Sequence, residues 1–133
     1  MADVALLVGR VLLVSIFIFS GVPKLMDVGG TAAYITAKGL PFPQLLAVAA
    51  GLTEAIGGVL ILVGWQTRLA AVVLFLFTGA ALFLFHDFWN VPAGPERIAQ
   101  MVQAWKNLSI IGGLMILAGA GAGRWSVEGQ TKG

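Results

Sequence analysis

An all-α fold, an integral membrane antiparallel four-helix bundle, is what this sequence predicts, on three observations. The 133 residues are 59% hydrophobic, with a mean hydropathy of +0.95. Only 11% of them are charged, about half the share usual in a soluble domain. Four apolar segments are each long enough to cross a hydrocarbon core, which takes about 20 helical residues. A small water-soluble globule has no interior large enough to hide so much apolar side chain, whereas a bilayer does.

The first segment covers residues 4–26. Its first charges are Asp3 and Arg10, with no basic leader ahead of the apolar run. It therefore reads as a retained transmembrane helix, not a cleaved signal. Pro23 lies inside it and is expected to kink or end the helix near its far side. The stretch "DVGGTAAYITAKGLPFP" follows, with paired glycines and two prolines. Within it "ITAKGLPFP" is too short to span and reads as a short interfacial helix. The second segment covers residues 43–64, and "WQTR" makes a tight connection to the third, residues 69–85. "HDFWNVPAGPER", broken by two prolines, reads as a loop before the fourth segment, residues 98–120. "GAGRWSVEGQTKG" is a polar, glycine-rich tail. Trp65, Trp89, Trp105 and Trp125 fall near these boundaries, Trp105 somewhat deeper, as expected of rings that favour the headgroup level. The connections are short, so the expected organisation is one transmembrane domain over residues 1–133.

An even number of spans puts both termini on one side, together with "WQTR". That side carries Arg68, Arg124, Lys132 and Arg10; the other carries Lys24, Lys38 and Arg97, diluted by Asp27, Asp87 and Glu96. The bias is slight and favours cytoplasmic termini in a multi-pass protein of the cell inner membrane. Several of the basic residues lie within apolar runs, so they make no patch for nucleic acid. Cysteine is absent, which excludes disulfides, iron–sulfur clusters ligated by this chain and thiol redox motifs. A single histidine, His86, cannot build a bis-histidine haem site in one chain, and no metal-ligating motif is evident.

The informative residues are the polar ones inside the apolar runs. An ionised side chain near a helix centre costs roughly 2.5–3.5 kcal/mol on insertion scales. The second segment can absorb that cost for Glu54, but the carboxylate still needs a partner or a proton. Steps of three and four place Glu54 on a stripe with Ala47, Gly51 and Gly58, small residues that allow a second helix to come close. Glu54 is therefore expected to face other helices. On the first segment Arg10, Val14, Phe17, Gly21 and Lys24 share a face, with Ser20 nearby. On the fourth, Gln103, Lys106 and Gly113 form a stripe with Asn107 beside it; on the third, Thr78 and Gly79 precede His86. With a rise of about 1.5 Å per residue, Glu54 falls near the midplane, and Arg10 and Lys106 lie roughly 9–13 Å deep from opposite sides. The expectation is an internal polar layer with Glu54 between Arg10 and Lys106, and an outer vestibule near Lys24 and His86. Surplus positive charge there would hold an anion or a developing oxyanion. The competing readings are structural: snorkelling for Arg10, Lys24 and Lys106, a fold-fixing ion pair for Glu54, an interfacial position for His86, and a helix–helix hydrogen bond for Asn107.

These residues, in their order, resemble the DoxX family of small four-helix membrane proteins. The likeness runs from Arg10 to about Ser126 through "GRVLLVSIFIFSGVPKL", "KGLPFPQLLA", "EAIGGVLILVGWQTRLAA", "LFHDFW" and "KNLSIIGGLMILAGAGAGRWS". The resemblance implies membrane redox work linked to quinones or sulfur oxyanions. The positions it would carry over are Arg10, Gly21, Lys24, Glu54, His86, Lys106 and Asn107. Members proposed to exchange thiol equivalents are poor guides to a chain without cysteine. Two functions follow as expectations. One is a small membrane subunit of a quinone-linked oxidoreductase system, with ligand-binding residues Arg10, Lys24, Glu54, His86, Lys106 and Asn107. A quinone is the cofactor that fits, and a membrane or peripheral redox partner protein would supply electrons. The other is a non-enzymatic scaffold or assembly subunit. A homo-oligomer is compatible with either, and anion transport ranks below both.

Overall fold

The computed structural model describes residues 1–131; Lys132, assigned above to the terminal side, lies outside them. Among the described residues there is no strand. The chain forms α1 (Ala2–Met26), α2 (Val28–Ala37), α3 (Pro43–Val63), α4 (Thr67–Phe85), a single 3-10 turn (Phe88–Asn90), α5 (Pro95–Ala120) and a final turn α6 (Val127–Gln130). The long helices α1, α3, α4 and α5 are the four apolar spans. The protein is an all-α integral membrane helical bundle, and its surroundings are lipid.

Local chemistry explains the boundaries. Pro23 does not end α1. The helix continues to Met26, and the Asp27 N–H donates to the Pro23 carbonyl at 2.9 Å. The short helix lies upstream of where the sequence places it, at Val28–Ala37 instead of within "ITAKGLPFP". Asp27 decides this: its Oδ1 accepts from Gly30 N–H at 2.9 Å, capping the new helix one residue after α1 stops. At the other end Gly39 takes a left-handed φ of 73°, and Leu40, preceding Pro41, is steered away from the helical region. The reversal between α3 and α4 takes three residues, with left-handed backbone at Gly64 and Gln66. The α5 span starts at Pro95, three residues earlier than expected, because proline suits the first helical position, where no N–H partner exists.

Around the bundle α1 packs on α3, α3 on α4, and α4 on α5, while α5 touches α1 only lightly. The two halves of the bundle are filled differently. Toward the chain termini, Val14, Phe17, Ile61, Leu74, Leu114 and Leu117 interlock in one buried cluster. Toward the loops, only a small cluster of Ala32, Ile35 and Ala47 is buried, with Leu40 and Phe85 against it. The loop-side half therefore retains an internal space.

Candidate functional site

Close approach of α1 and α3 sets the geometry. Gly21 faces the α3 backbone so tightly that a Cβ there would lie 2.7 Å from Ala55 N and 2.9 Å from Gly51 O. On the next turn of α1, Lys24 reaches Glu54: Nζ lies 2.7 Å from Oε2. Lys24 Nζ also donates to Ser20 Oγ at 2.5 Å and to the Ser20 carbonyl at 3.3 Å. Glu54 is only 6% exposed. A charged group alone in such a place would face a large desolvation cost, which contact with an opposite charge offsets.

This pair lies on the wall of a cavity of about 640 Å³ in the loop-side half of the bundle. Ile16, Phe17 and Ser20 line it from α1, Ala50 and Thr53 from α3, Thr78 and Ala81 from α4, and Ile110 from α5. Lys106 and Asn107 contribute from α5 and His86 from the end of α4. Asn107 is 9% exposed. His86 Nδ1 lies 3.0 Å from Gln100 Oε1, which fixes the ring against α5. The α2 helix roofs the cavity through Thr31, Tyr34 and Ile35. Tyr34 stacks on Phe85 with ring centres 5.5 Å apart, and Lys38 Nζ meets Asp87 Oδ1 at 3.0 Å. Asn90 Nδ2 donates to the other Asp87 oxygen at 3.1 Å, completing a latch on the loop side.

Five of the six expected site residues thus share one space: Lys24, Glu54, His86, Lys106 and Asn107. Their pairing differs from the expectation. Glu54 meets Lys24, not Arg10 or Lys106, because the glycine-mediated contact of α1 and α3 brings Lys24 level with it. Lys106 lines the cavity with no carboxylate in ion-pair reach among the described residues.

Arg10 lies at the opposite end of the bundle. It is 3% exposed, and its guanidinium donates to the Ala122 carbonyl at 2.8 Å and to the Trp125 carbonyl. The tail beyond α5 folds back as a plug. Glu128 N–H donates to the Gly64 carbonyl at 3.0 Å, and Glu128 Oε1 accepts from Thr67 N–H at 2.9 Å. Arg124 N–H donates to Asp3 Oδ1 at 3.1 Å. Irregular backbone near the hydrocarbon must have its carbonyls satisfied within the protein, and Arg10 does this with a two-pronged donor. Replacing Arg10 by Gln strands carbonyls at about 1–3 kcal/mol each. The expected result is faster tryptic cleavage after Arg124 than in the wild type, with Arg10→Lys only partly protective. Unchanged cleavage in Arg10→Gln would contradict the plug.

Sequence reasoning gave no weight to Tyr34, Gln100 or the tail as structural parts. The tail did leave a sign in Gly121 and Gly123: both take a positive φ, which glycine adopts without the steric penalty of a Cβ.

The comparisons with known proteins agree with this architecture. The family model described as DoxX matches residues 5–87. The chain is 36% identical over 125 residues to the inner membrane protein YphA of Escherichia coli (strain K12), covering 94% of this chain and 89% of that one. To the inner membrane protein YqjF of the same strain it is 38% identical over 126 residues, covering 95% and 91%. A shorter likeness, 34% over 74 residues, links it to a Surfeit locus protein 4 homolog of Schizosaccharomyces pombe, over 55% of this chain and 24% of that protein. No solved structure matches. With the four spans, the paired charges of α1 and α3 and a matched stretch covering more than half its length, the chain belongs to the DoxX family.

Proposed function

We propose that this chain is a small inner-membrane subunit of a quinone-linked oxidoreductase system. It holds a quinone, or another polar or anionic ligand of the lipid phase, against the Lys24–Glu54 pair. The observation that carries the proposal is an ion pair with a buried carboxylate on the wall of a mostly apolar intramembrane cavity of about 640 Å³. That volume lies in the range of small-molecule sites, roughly 300–1,000 Å³. The residues also fit the chemistry of a ring with oxygen substituents. The cavity supplies apolar walls, ammonium donors at Lys24 and Lys106, a carboxylate acceptor at Glu54, and the amide of Asn107.

A bound quinone would supply two-electron, two-proton redox chemistry. Lys24 would donate a hydrogen bond to a ring oxygen and stabilise negative charge on it. Glu54, held beside that ammonium, would take up or return a proton, and His86 would pass protons between cavity and loop-side water. Electrons would come from a membrane or peripheral redox partner protein. Arg10, tied to the tail, serves the fold in this reading. Cytoplasmic termini put the α2 roof and the His86 end on the outer side of the membrane.

The test is purification in a mild detergent, followed by extraction and mass-spectrometric identification of bound quinone. Titration with a short-chain quinol follows. Co-purified quinone is expected, with at least tenfold weaker quinol binding in Asn107→Leu. No co-purifying quinone together with no quinol binding would refute the proposal. One observation favours the scaffold reading instead: the ion pair bridges α1 and α3 and would fix their register. The double variant Lys24→Met with Glu54→Gln separates the two. The scaffold reading requires a partner complex that still assembles, and the quinone reading requires lost binding in a folded protein.

A further inference from the structure

The geometry points to a lateral portal between α1 and α5, through which a long-chain amphiphile enters the cavity from the lipid with its chain left in the seam. This rests on the proposed cavity site only in that a lipid-phase guest occupies it; the guest need not be a quinone.

The observations lie on the two facing helix edges. Leu13 of α1 seats over Gly113 of α5, where an added Cβ would come 3.1 Å from Leu13 Cδ1. This contact lies toward the terminal end. Beyond it α1 and α5 make little contact, and the cavity wall is built from Ile16, Phe19 and Ser20 on one side and Lys106 and Ile110 on the other. Phe19 lines the cavity and is nevertheless 80% exposed, so the space opens onto the lipid-facing surface at this seam.

The α3–α4 side is narrower: the Tyr34–Phe85 stack and the packing of Ile35 on Ala47 occupy it, and the cavity-lining Leu46 and Leu84 there are 38% and 45% exposed against 80% for Phe19. Above, the α2 roof is latched by Lys38 and Asp87.

The chemistry of the guest follows from Lys106. It lies eleven residues into α5, about 16 Å along the helix axis. An ammonium at the seam of two lipid-facing helices is costly unless an acceptor meets it. Among the described residues no carboxylate pairs with it. The guest's head must therefore carry oxygen acceptors or negative charge. Its body must be apolar and flexible enough to pass between Phe19 and Ile110.

The natural absence of cysteine leaves no thiol to compete for photochemical adducts. Two photoreactive probes share a ten-carbon chain with a terminal diazirine, one headed by a benzoquinone and one by a carboxylate. The full chain is reconstituted in phosphatidylcholine vesicles, irradiated, and its adducts are mapped with and without excess unreactive amphiphile. The expected result is competable adducts on residues 16–20 and 106–110, reduced at least tenfold in the double variant Ile16→Trp with Ile110→Trp. Competable adducts from the carboxylate probe alone would sink the quinone reading and leave the portal standing. Competable adducts centred on Tyr34, Lys38 and His86, or on the α3–α4 side, would overturn the portal. So would no competable adducts from either probe, or undiminished yield in a folded tryptophan variant. If that variant does not fold, the wild-type adduct map decides alone.

Discussion

Lys24→Met is expected to destabilise the purified protein by about 3–5 kcal/mol, the range found when one partner of a buried ion pair is removed. Methionine keeps the length and apolar stem of lysine but leaves Glu54, 6% exposed, without its counter-charge. The carboxylate must then either stay ionised at high cost or take up a proton. The double variant Lys24→Met with Glu54→Gln removes both charges and should recover most of the loss, because a neutral amide demands far less from its surroundings. Denaturation followed by tryptophan fluorescence in detergent, with the four variants of the cycle compared, isolates the coupling between the two side chains. A loss in the double variant equal to the sum of the two single losses would mean that the side chains are uncoupled and that the ion pair contributes nothing beyond the packing of its two stems.

Gly21→Ala should be the most damaging glycine-to-alanine change within the four spanning helices. The added Cβ would meet Ala55 N at 2.7 Å, Glu54 Cβ at 2.8 Å and Gly51 O at 2.9 Å. Two of these atoms are backbone and cannot swing aside, so α1 and α3 must separate. Overpacking of this kind costs about 1–3 kcal/mol, and here it also pulls Lys24 away from Glu54. Gly21→Val should be worse still. Gly79→Ala and Gly112→Ala are the matched controls, since an added Cβ at either meets nothing within 4 Å. Both should be neutral or slightly stabilising, because alanine favours helix over glycine by about 1 kcal/mol. Thermal midpoints in the same detergent test the contrast, which is lost if all three variants melt alike.

Much of this architecture was legible in the sequence for a simple reason. Spanning a bilayer imposes length and apolarity on each helix, and both are properties of contiguous residues. The inward orientation of Glu54 was legible too, because Ala47, Gly51 and Gly58 recur on its face at helical spacing. The short helix was misplaced because its start depends on one capping side chain, Asp27, whose hydrogen bond to Gly30 outweighs the weak pattern downstream. The pairing of Glu54 was not legible, since Arg10 and Lys24 share one face of α1 and spacing alone cannot rank them. Relative depth along α1 ranks them, and that depth is set where Gly21 meets Gly51.

What the sequence determined by itself was therefore the class of molecule, its four spans and the small set of polar residues turned inward, since each follows from neighbours along one helix. Which of those residues meet was decided only in three dimensions. Arg10 binds a carbonyl 112 positions away, while Lys24 and Glu54 share a cavity wall with Asn107. Such contacts depend on how closely whole helices approach. That distance is set by side chains on both partners at once, so neither strand of sequence contains it alone.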